Sequence, residues 1–276
     1  LRNFSDEMAV VMLLLTGFLC MANIWGFPIY ILDEAKNAEC AREMWEMGEW
    51  IVPTYNYELR VDKPPLHYWF MMLSYSLFGP TAFAARFFSG LMGWLTAVAV
   101  WYFTRLHIGK GAAFWSVTVL ACSLHFGLQF HLAVPDPYLI CTLFIAVSSI
   151  YTGFRQNKVK WLYTGYLVAG LGALAKGPVA PGLIGLIFLV GLATRRELTW
   201  YPLRRLRLFS GALVFFVVAL PWYIAVHEAT QGAWTNGFFF RHNLGRFAST
   251  MEGHGGFPGL ILLIVTVGLL PFSLFF

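Results

Sequence analysis

The sequence predicts an all-α, polytopic transmembrane protein with about eight membrane spans. Of its 276 residues, 58% are hydrophobic and only 12% are charged, whereas about 25% of the residues in a typical soluble domain are charged. The apolar residues stand in repeated runs of helix length, which favours transmembrane helices over a β-barrel. Few polar intervals separate these runs, and the longest one directly follows the first run.

Eight apolar runs have the length of a membrane span or nearly so. They cover residues 8–32, 81–104, 111–132, 138–154, 161–175, 179–193, 209–226 and 257 onward. Two long polar stretches interrupt them, residues 33–80 and residues 227–256. The chain starts without methionine and stops inside an apolar run at Phe276, so we expect residues 1–276 to form a single transmembrane domain of a longer protein.

The distribution of charge predicts which ends of the spans face the cytoplasm. The N-terminus and the turns after the second, fourth and sixth spans hold 11 basic residues and three acidic ones. The opposite side holds the remaining eight basic and 11 acidic residues. Because basic loops stay in the cytoplasm, both long polar stretches lie outside, as do the turns that carry Asp136 and Lys176. The net charge of +5 comes from these short basic loops and does not indicate nucleic acid.

The first outer loop, residues 33–80, predicts two amphipathic helices that lie on the membrane surface. In residues 34–47, apolar and charged side chains fall on opposite faces of a helix. The apolar face holds Ala38, Ala41, Met44 and Trp45, and the charged face holds Glu39, Arg42, Glu43 and Glu46. Pro65 suits the first turn of the second helix. The apolar face of that helix would hold Leu66, Trp69, Phe70, Leu73 and Leu77. An extended connector carrying Asp62 and Lys63 would join the two helices.

Two aspartates stand alone at outer ends of spans. Asp33 follows the first span, and Asp136 lies between two prolines at the end of the third. Either one could cap the helix that follows it, a role that aspartate performs well. Either one could equally be a carboxylate with a catalytic role at the membrane surface, Asp33 as a general base. Only convergence of the two on one site would decide between these interpretations.

Several cations on the same predicted side fit a lipid phosphate. Lys63 precedes a proline, which favours an extended backbone, and a lysine held at headgroup depth suits either a phosphate or an ordinary interfacial position. Arg241, His242 and Arg246 add cationic donors, and the arginine fork binds two phosphate oxygens at once. An interfacial basic cluster without a ligand is the alternative. The further candidates of this kind are Lys36 and Lys176.

Motifs for other chemistry are weak in this sequence. Asp62, His242, Glu252 and His254 could offer metal ligands, but their spacing is not diagnostic and favours solvated loop histidines. The sequence contains no P-loop, no dinucleotide-binding fingerprint and no nucleophile elbow. A soluble nucleotide is therefore not the expected substrate.

Seven sequence blocks, taken in order, resemble the GT-C glycosyltransferases. The blocks are Asp33-Glu34, Glu43-Met44 with Gly48-Glu49-Trp50 and Pro53, the run from Asp62-Lys63 to Trp69, Phe78-Gly79 with Arg86, Pro135-Asp136-Pro137, Ala175-Lys176-Gly177-Pro178, and His242-Asn243 with Arg246-Phe247. They are most similar to the bacterial branch that contains the lipid A aminoarabinose transferase, a relative of the protein O-mannosyltransferases. The resemblance covers nearly the whole chain, and its most specific part is the Lys-Pro-Pro-Leu-x-Tyr-Trp run.

The resemblance implies an enzyme that transfers a sugar from a polyprenyl phosphate, such as undecaprenyl phosphate, to a lipid, glycan or protein. It implies inversion, by direct attack of an acceptor oxygen on the anomeric carbon. Asp33 would be the catalytic carboxylate, and Asp136 would assist it. Lys63, with Lys36 and Arg246, would hold the donor phosphate, and Arg241 and Lys176 stay further candidates for it from the charge pattern.

The resemblance also implies a divalent metal ion held by Asp62 and His242. Asp62 stands where the aminoarabinose branch has glutamate, one methylene longer. Further spans and a soluble outer domain would lie beyond this chain. We expect the protein in a bacterial inner membrane, with its active site facing the periplasm.

A membrane transporter or a flippase for lipid-linked sugars is the alternative function. It would place charged residues within its spans, along a substrate path, and would show an internal repeat. The seventh and eighth spans lack charges in their middles, and the sequence shows no repeat. A non-catalytic scaffold would have no need of ordered polar loops.

Overall fold

The computed structural model describes residues 6–194, 204–244 and 258–275. These residues form an all-α architecture, as predicted, with a short β-hairpin. The helices are α1 (Asp6–Met21), α2 (Leu32–Met47), α3 (Leu66–Phe78), α4 (Ala82–His107), α5 (Lys110–Cys122), α6 (Leu124–Gln129), α7 (Asp136–Gln156), α8 (Val159–Lys176), α9 (Val179–Thr194), α10 (Leu208–Ala229), α11 (Ala233–Asn236) and α12 (Pro258–Gly268). The remaining elements are β1 (Thr54–Tyr55), β2 (Glu58–Leu59), a π-helix (Gly237–Leu244) and a 3-10 helix (Phe272–Phe275).

Three helices, α4, α7 and α10, are long and apolar enough to cross a membrane. Four shorter apolar helices, α1, α5, α9 and α12, lie in the predicted first, third, sixth and eighth spans. Large apolar side chains face outward from them and from α10, where Phe209 is 92% exposed. A soluble protein rarely exposes so much contiguous apolar surface. The chain is therefore an integral membrane protein, and the count of eight spans stays a prediction.

Helices α7 and α8 run antiparallel and approach each other closely. A Cβ atom at Gly165 of α8 would lie 2.5 Å from Cγ1 of Ile150 on α7, so only glycine permits this approach. Asn157, in the left-handed conformation, ends α7 and turns the chain into α8. The two helices have 21 and 18 residues. Because their lengths are similar, Asp136 at the start of α7 meets Lys176 at the end of α8.

The two predicted surface helices are present as α2 and α3, and they pack against each other. Their shared core also includes the start of α4 and the segment before α7. Its buried members are Ala38, Cys40, Ala41, Met44, Tyr68, Met71, Met72, Tyr75, Ala84, Ala85 and Ala133. The predicted apolar face of α2 therefore meets α3 rather than the membrane. On α3, Leu73 and Leu77 of the predicted apolar face remain exposed, at 46% and 65%.

One residue of the predicted charged face of α2 is buried. Glu43 is fully inaccessible, and its Oε2 atom accepts hydrogen bonds from the Thr54 hydroxyl at 2.6 Å and the Tyr57 amide at 3.1 Å. The other three members of that face form exposed ion pairs, as expected. Glu43 lies inside because it holds the β1–β2 hairpin, which the sequence did not predict, against α2.

Two predicted spans differ from the helices observed. The first helix ends at Met21, and turns lead from there to α2. The predicted third span is broken at Ser123 into α5 and α6. Ser123 is extended (φ −78°, ψ 136°), and its hydroxyl donates to the Leu120 carbonyl at 2.8 Å. The side chain thereby replaces a lost helical hydrogen bond at the break.

Candidate active site

Asp33 lies in the first turn of α2 and does not cap that helix. The N-cap residue is Ile31, and no side chain accepts a hydrogen bond there. The Asp33 Oδ1 atom instead lies 3.7 Å from Nζ of Lys63, with 47% of the aspartate side chain exposed. The interpretation of Asp33 as an N-cap is therefore wrong. Its carboxylate is paired with a cation and still accessible to a reactant.

Asp136 likewise does not cap its helix. Pro135 is the N-cap residue of α7, and Asp136 is the first helical residue, with no side-chain cap. The Asp136 Oδ1 atom accepts a hydrogen bond from Nζ of Lys176 at 2.5 Å. The N-cap interpretation is wrong for this residue as well. Its carboxylate points across the α7–α8 pair to the end of α8.

These two ion pairs belong to one site. The pKa of the Lys63 ammonium lies below its ordinary value, chiefly because the side chain is buried. The positive charge of Lys176 lowers this pKa further, whereas the negative charges of Asp33 and Asp136 raise it. Such effects require the other three charges to lie within electrostatic range of Lys63. Lys63 is also the most buried of them, with 15% of its side chain exposed. Two aspartates and two lysines from four separate segments (α2, the connector before α3, α7 and α8) therefore converge.

Arg60 adds a buried cation that the sequence interpretation missed. It is 5% exposed, and its guanidinium donates to the Asn37 side-chain oxygen at 2.9 Å and to the Lys36 carbonyl. Its Nε atom lies 3.4 Å from Oδ2 of Asp62. Its position two residues before Asp62 could have indicated that the two side chains lie together, because alternate residues of an extended segment point to the same side.

A buried ion pair fixes the start of α2. Glu34 and Arg86 are both fully inaccessible, and two guanidinium nitrogens donate to the two carboxylate oxygens at 2.7 and 2.8 Å. Arg86 also donates to the carbonyls of Ile24, Phe27 and Pro28, at 2.8–3.2 Å. These bonds satisfy non-helical carbonyls between α1 and α2, which explains why the first span ends early. Arg86 lies four residues into the apolar helix α4, and a charged residue there indicates a buried partner.

The same face of α2 also holds the segment before α7. The Oε1 atom of Glu34 accepts a hydrogen bond from the Ala133 amide at 2.9 Å. The Asn37 side-chain nitrogen donates to the Ala133 carbonyl at 3.4 Å, while its oxygen binds Arg60. Helix α2 therefore carries Asp33 and holds, by neighbouring side chains, the segments that lead to Lys63 and to Asp136.

His67 lies beneath this cluster in a neutral state. It is fully buried, and neither ring nitrogen has a hydrogen-bond partner among the described residues that meets normal geometry. Burial, followed by the charges of Arg60 and Lys63, holds the imidazole pKa well below its ordinary value. A neutral imidazole avoids adding a third positive charge under the two cations above it.

The second polar stretch packs over the connector. The Trp234 ring nitrogen donates to the Arg60 carbonyl at 3.0 Å. A Cβ atom at Gly237 would lie 2.9 Å from Val61, and one at Gly177 would lie 2.4 Å from the Phe238 ring. The backbone that carries Arg241 and His242 follows in the π-helix. The remaining predicted residues, Arg246, Glu252 and His254, lie outside the described residues, as do the side chains of Arg241 and His242.

Asp62 and His242 stay predicted metal ligands. The carboxylate of Asp62 is paired with Arg60, which reduces its attraction for a cation. Among the described residues, no three histidine, cysteine, aspartate or glutamate side chains group together as metal ligands would. Of the two predicted ligands, only the Asp62 side chain lies among the described residues, and a single carboxylate does not make a site for a divalent ion.

Comparison with known proteins agrees with this architecture. The sequence model of the family described as dolichyl-phosphate-mannose-protein mannosyltransferase matches residues 62–224, more than half of the chain. An uncharacterised protein of Aquifex aeolicus is 29% identical over 252 residues, which are 90% of this chain and 56% of that protein. The undecaprenyl phosphate-alpha-4-amino-4-deoxy-L-arabinose arabinosyl transferase of Aeromonas salmonicida is 31% identical over 262 residues, 90% of this chain and 46% of that protein.

A solved structure shares the fold over nearly the whole chain. The crystal structure of ArnT from Cupriavidus metallidurans bound to undecaprenyl phosphate superimposes with a TM-score of 0.90 at 25% sequence identity. The match covers 99% of this chain and 50% of that chain. The chain thus spans about half the length of the relatives that it matches.

Proposed function

This chain belongs to the dolichyl-phosphate-mannose-protein mannosyltransferase family and has the GT-C glycosyltransferase fold, and we propose that it carries the donor site and the catalytic base of a membrane glycosyltransferase. The donor is a sugar on a polyprenyl phosphate. The acceptor is a hydroxyl or a phosphate of a lipid, glycan or protein. The related ArnT was crystallised with undecaprenyl phosphate, which supports a donor of that class.

The observation that carries this proposal is the convergence of two lysines and two aspartates. Lys63 and Lys176 lie within electrostatic range of each other, and each has an aspartate beside it. Two cations side by side repel each other unless an anion lies between them. A phosphate that binds both lysines would relieve this repulsion. It would also lie next to Asp33, whose carboxylate is about half exposed.

The chemical step follows from this arrangement. An acceptor O–H group binds beside Asp33, and the carboxylate removes its proton as the oxygen attacks the anomeric carbon. The bond from that carbon to the phosphate oxygen breaks, and its electron pair leaves with the phosphate. The ammonium groups of Lys63 and Lys176 stabilise the charge that develops there. A single displacement inverts the anomeric carbon and needs no second carboxylate as nucleophile.

Asp136 serves this step through Lys176. Its carboxylate accepts a hydrogen bond from the lysine, so it keeps the ammonium pointed into the site. Arg60 donates to the Lys36 carbonyl, and we expect these two cations to extend the positive field around the phosphate. The outer face of the membrane is the side we propose for the reaction, because the basic turns lie at the opposite ends of the spans.

The test is sugar transfer by the full-length protein in proteoliposomes. Labelled sugars are supplied either on polyprenyl phosphate or as nucleotide sugars, with a membrane extract as acceptor. We expect label to appear in acceptor only from a polyprenyl-phosphate donor. Transfer from nucleotide sugars, or movement of an intact donor between leaflets without transfer, would contradict the proposal, and the second result would support a flippase.

A further inference from the structure

A cavity lies at the end of the helix bundle opposite the candidate active site. Its volume is about 230 Å³, and it opens between helices α4, α7 and α9 and Leu206. The lining is almost entirely apolar and aromatic. It includes Phe103, Tyr151, Phe154, Phe188, Leu192 and Leu206. Tyr151 stands 15 residues along α7 from Asp136, which places the crevice roughly 22 Å from the first site at 1.5 Å per residue.

The one charged residue in the lining is Arg155, in the last turn of α7. It is exposed, and no carboxylate pairs with it among the described residues. Arg205 lies beside it, donates to the Phe154 carbonyl at 2.8 Å and stacks 5.0 Å from the Phe154 ring. The three described turns at this end, residues 105–110, 155–160 and 204–207, contain basic residues and no acidic ones. The mouth of the crevice is therefore positively charged.

From this charge and shape we propose that the crevice binds an anionic phospholipid, with an acyl chain in the apolar slot and the phosphate at Arg155. The helices that form it are apolar enough to lie in a bilayer, so acyl chains surround the opening. An arginine at a helix end lies at headgroup depth, where its charge meets lipid phosphates. Basic pockets between transmembrane helices are known to hold anionic headgroups by this combination of charge and apolar wall.

The occupant of the crevice would lie at a different place from the proposed donor. The donor's reacting phosphate belongs at Lys63 and Lys176, at the far end of α7. The crevice phosphate would belong at Arg155. Neither lysine of the active site lines this crevice. The proposal therefore stands whether or not the chain transfers a sugar.

Glycines of α9 offer a matched pair of substitutions for testing the slot. A Cβ atom at Gly191 or at Gly185 would meet no atom within 4 Å, so a side chain at either position begins in open space. Gly191 lines the crevice, whereas Gly185 does not. Both residues lie in the same helix, so Gly191→Phe and Gly185→Phe change helix propensity equally. Only Gly191→Phe should fill the cavity.

The headgroup is tested by Arg155→Gln, with Lys158→Gln as its control from the same turn. The full-length protein is placed in nanodiscs of phosphatidylcholine containing a small fraction of phosphatidylglycerol, and bound lipid is counted by native mass spectrometry.

We expect retained phosphatidylglycerol in the wild type and in the Gly185→Phe and Lys158→Gln variants. Arg155→Gln should lower the preference for phosphatidylglycerol about fivefold, because one arginine near a membrane surface contributes about that factor. Gly191→Phe should lose the bound lipid.

Three results would overturn the proposal. The first is equal lipid retention by Gly191→Phe and Gly185→Phe. The second is loss in Gly191→Phe without preference for phosphatidylglycerol over phosphatidylcholine, which would assign the slot to a neutral lipid. The third is displacement of the lipid by polyprenyl phosphate at equal concentration, which would assign the slot to the donor chain. If Gly191→Phe does not fold, the comparison of Arg155→Gln with Lys158→Gln decides the question alone.

Discussion

Lys63 illustrates how one residue can be prepared for an anionic ligand. Its side chain is the most buried of the four charges in the site, and burial lowers its pKa. Asp33 and Asp136 oppose that shift and so help to keep the ammonium charged before the donor arrives. A phosphate would take over this role in the complex, which leaves Asp33 available as the base.

Replacement of Lys63 should therefore weaken donor binding more than it slows the bound enzyme. We expect Lys63→Ala to raise the Kd for polyprenyl phosphate at least tenfold, because a charge-assisted hydrogen bond contributes about 1.5–3 kcal/mol. The measurement is titration of the purified full-length protein with labelled polyprenyl phosphate. Lys158→Ala, at the opposite end of the bundle, should bind normally. An unchanged Kd for Lys63→Ala would show that the phosphate binds elsewhere.

At the scale of elements, the Glu34–Arg86 pair holds the start of α2 against α4 and against the segment before α7. Both side chains are fully inaccessible, and the removal of one partner leaves a buried charge without compensation. Replacement of both partners by apolar residues avoids that cost, but the Ala133 amide and three carbonyls then lose their partners.

We expect Arg86→Met to lower the free energy of unfolding by about 3–5 kcal/mol, the cost of breaking a buried ion pair. The double variant Glu34→Leu with Arg86→Met should recover much of this stability but not the activity, because Ala133 is no longer held. Thermal unfolding in detergent measures the first effect, and sugar transfer measures the second. Arg42→Met, in the exposed network of α2, is the control. If Arg86→Met were as stable as Arg42→Met, the Glu34–Arg86 pair would not stabilise the fold as proposed.

The α7–α8 pair is the second element that builds the site, and Gly165 controls its spacing. A Cβ atom there would lie 2.5 Å from Ile150 and 2.9 Å from the Ala146 carbonyl oxygen. We expect Gly165→Ala to cost about 1–3 kcal/mol by overpacking and to slow transfer, because Lys176 moves relative to Asp136. Gly182→Ala meets open space and should be neutral in unfolding and transfer assays. If Gly165→Ala and Gly182→Ala had the same stability and the same transfer rate, close packing at Gly165 would not be what positions Lys176.

At the scale of the whole molecule, the sequence predicted the individual elements better than the way in which they pack together. Composition and apolar runs were enough for an all-α membrane protein, and isolated polar residues were enough to single out Asp33, Lys63 and Asp136. Whether these residues cap helices or form a site depends on how α2, α7 and α8 pack. That packing depends on contacts between distant segments, such as Glu34 with Ala133, which no local pattern encodes.

The errors have the same origin. By its position in the sequence, Glu43 belongs to the charged face of α2. It is buried because the β1–β2 hairpin packs against it, a tertiary contact that the helix pattern does not show. The break at Ser123 lies in an uninterrupted apolar run and becomes visible only in the backbone conformation. Arg60 was missed because a lone arginine in a polar loop is ordinary until its burial is known.

Transfer by Asp33→Asn tests the central claim most directly, since that claim makes Asp33 the base in a site built from four segments. Asparagine keeps the shape of the side chain but cannot take the acceptor proton. With the wild type transferring sugar from polyprenyl phosphate, we expect Asp33→Asn to lose about a hundredfold or more in rate while retaining donor binding. Glu58→Gln, an exposed carboxylate on β2, should transfer normally. A rate for Asp33→Asn close to that of Glu58→Gln would contradict the proposed mechanism.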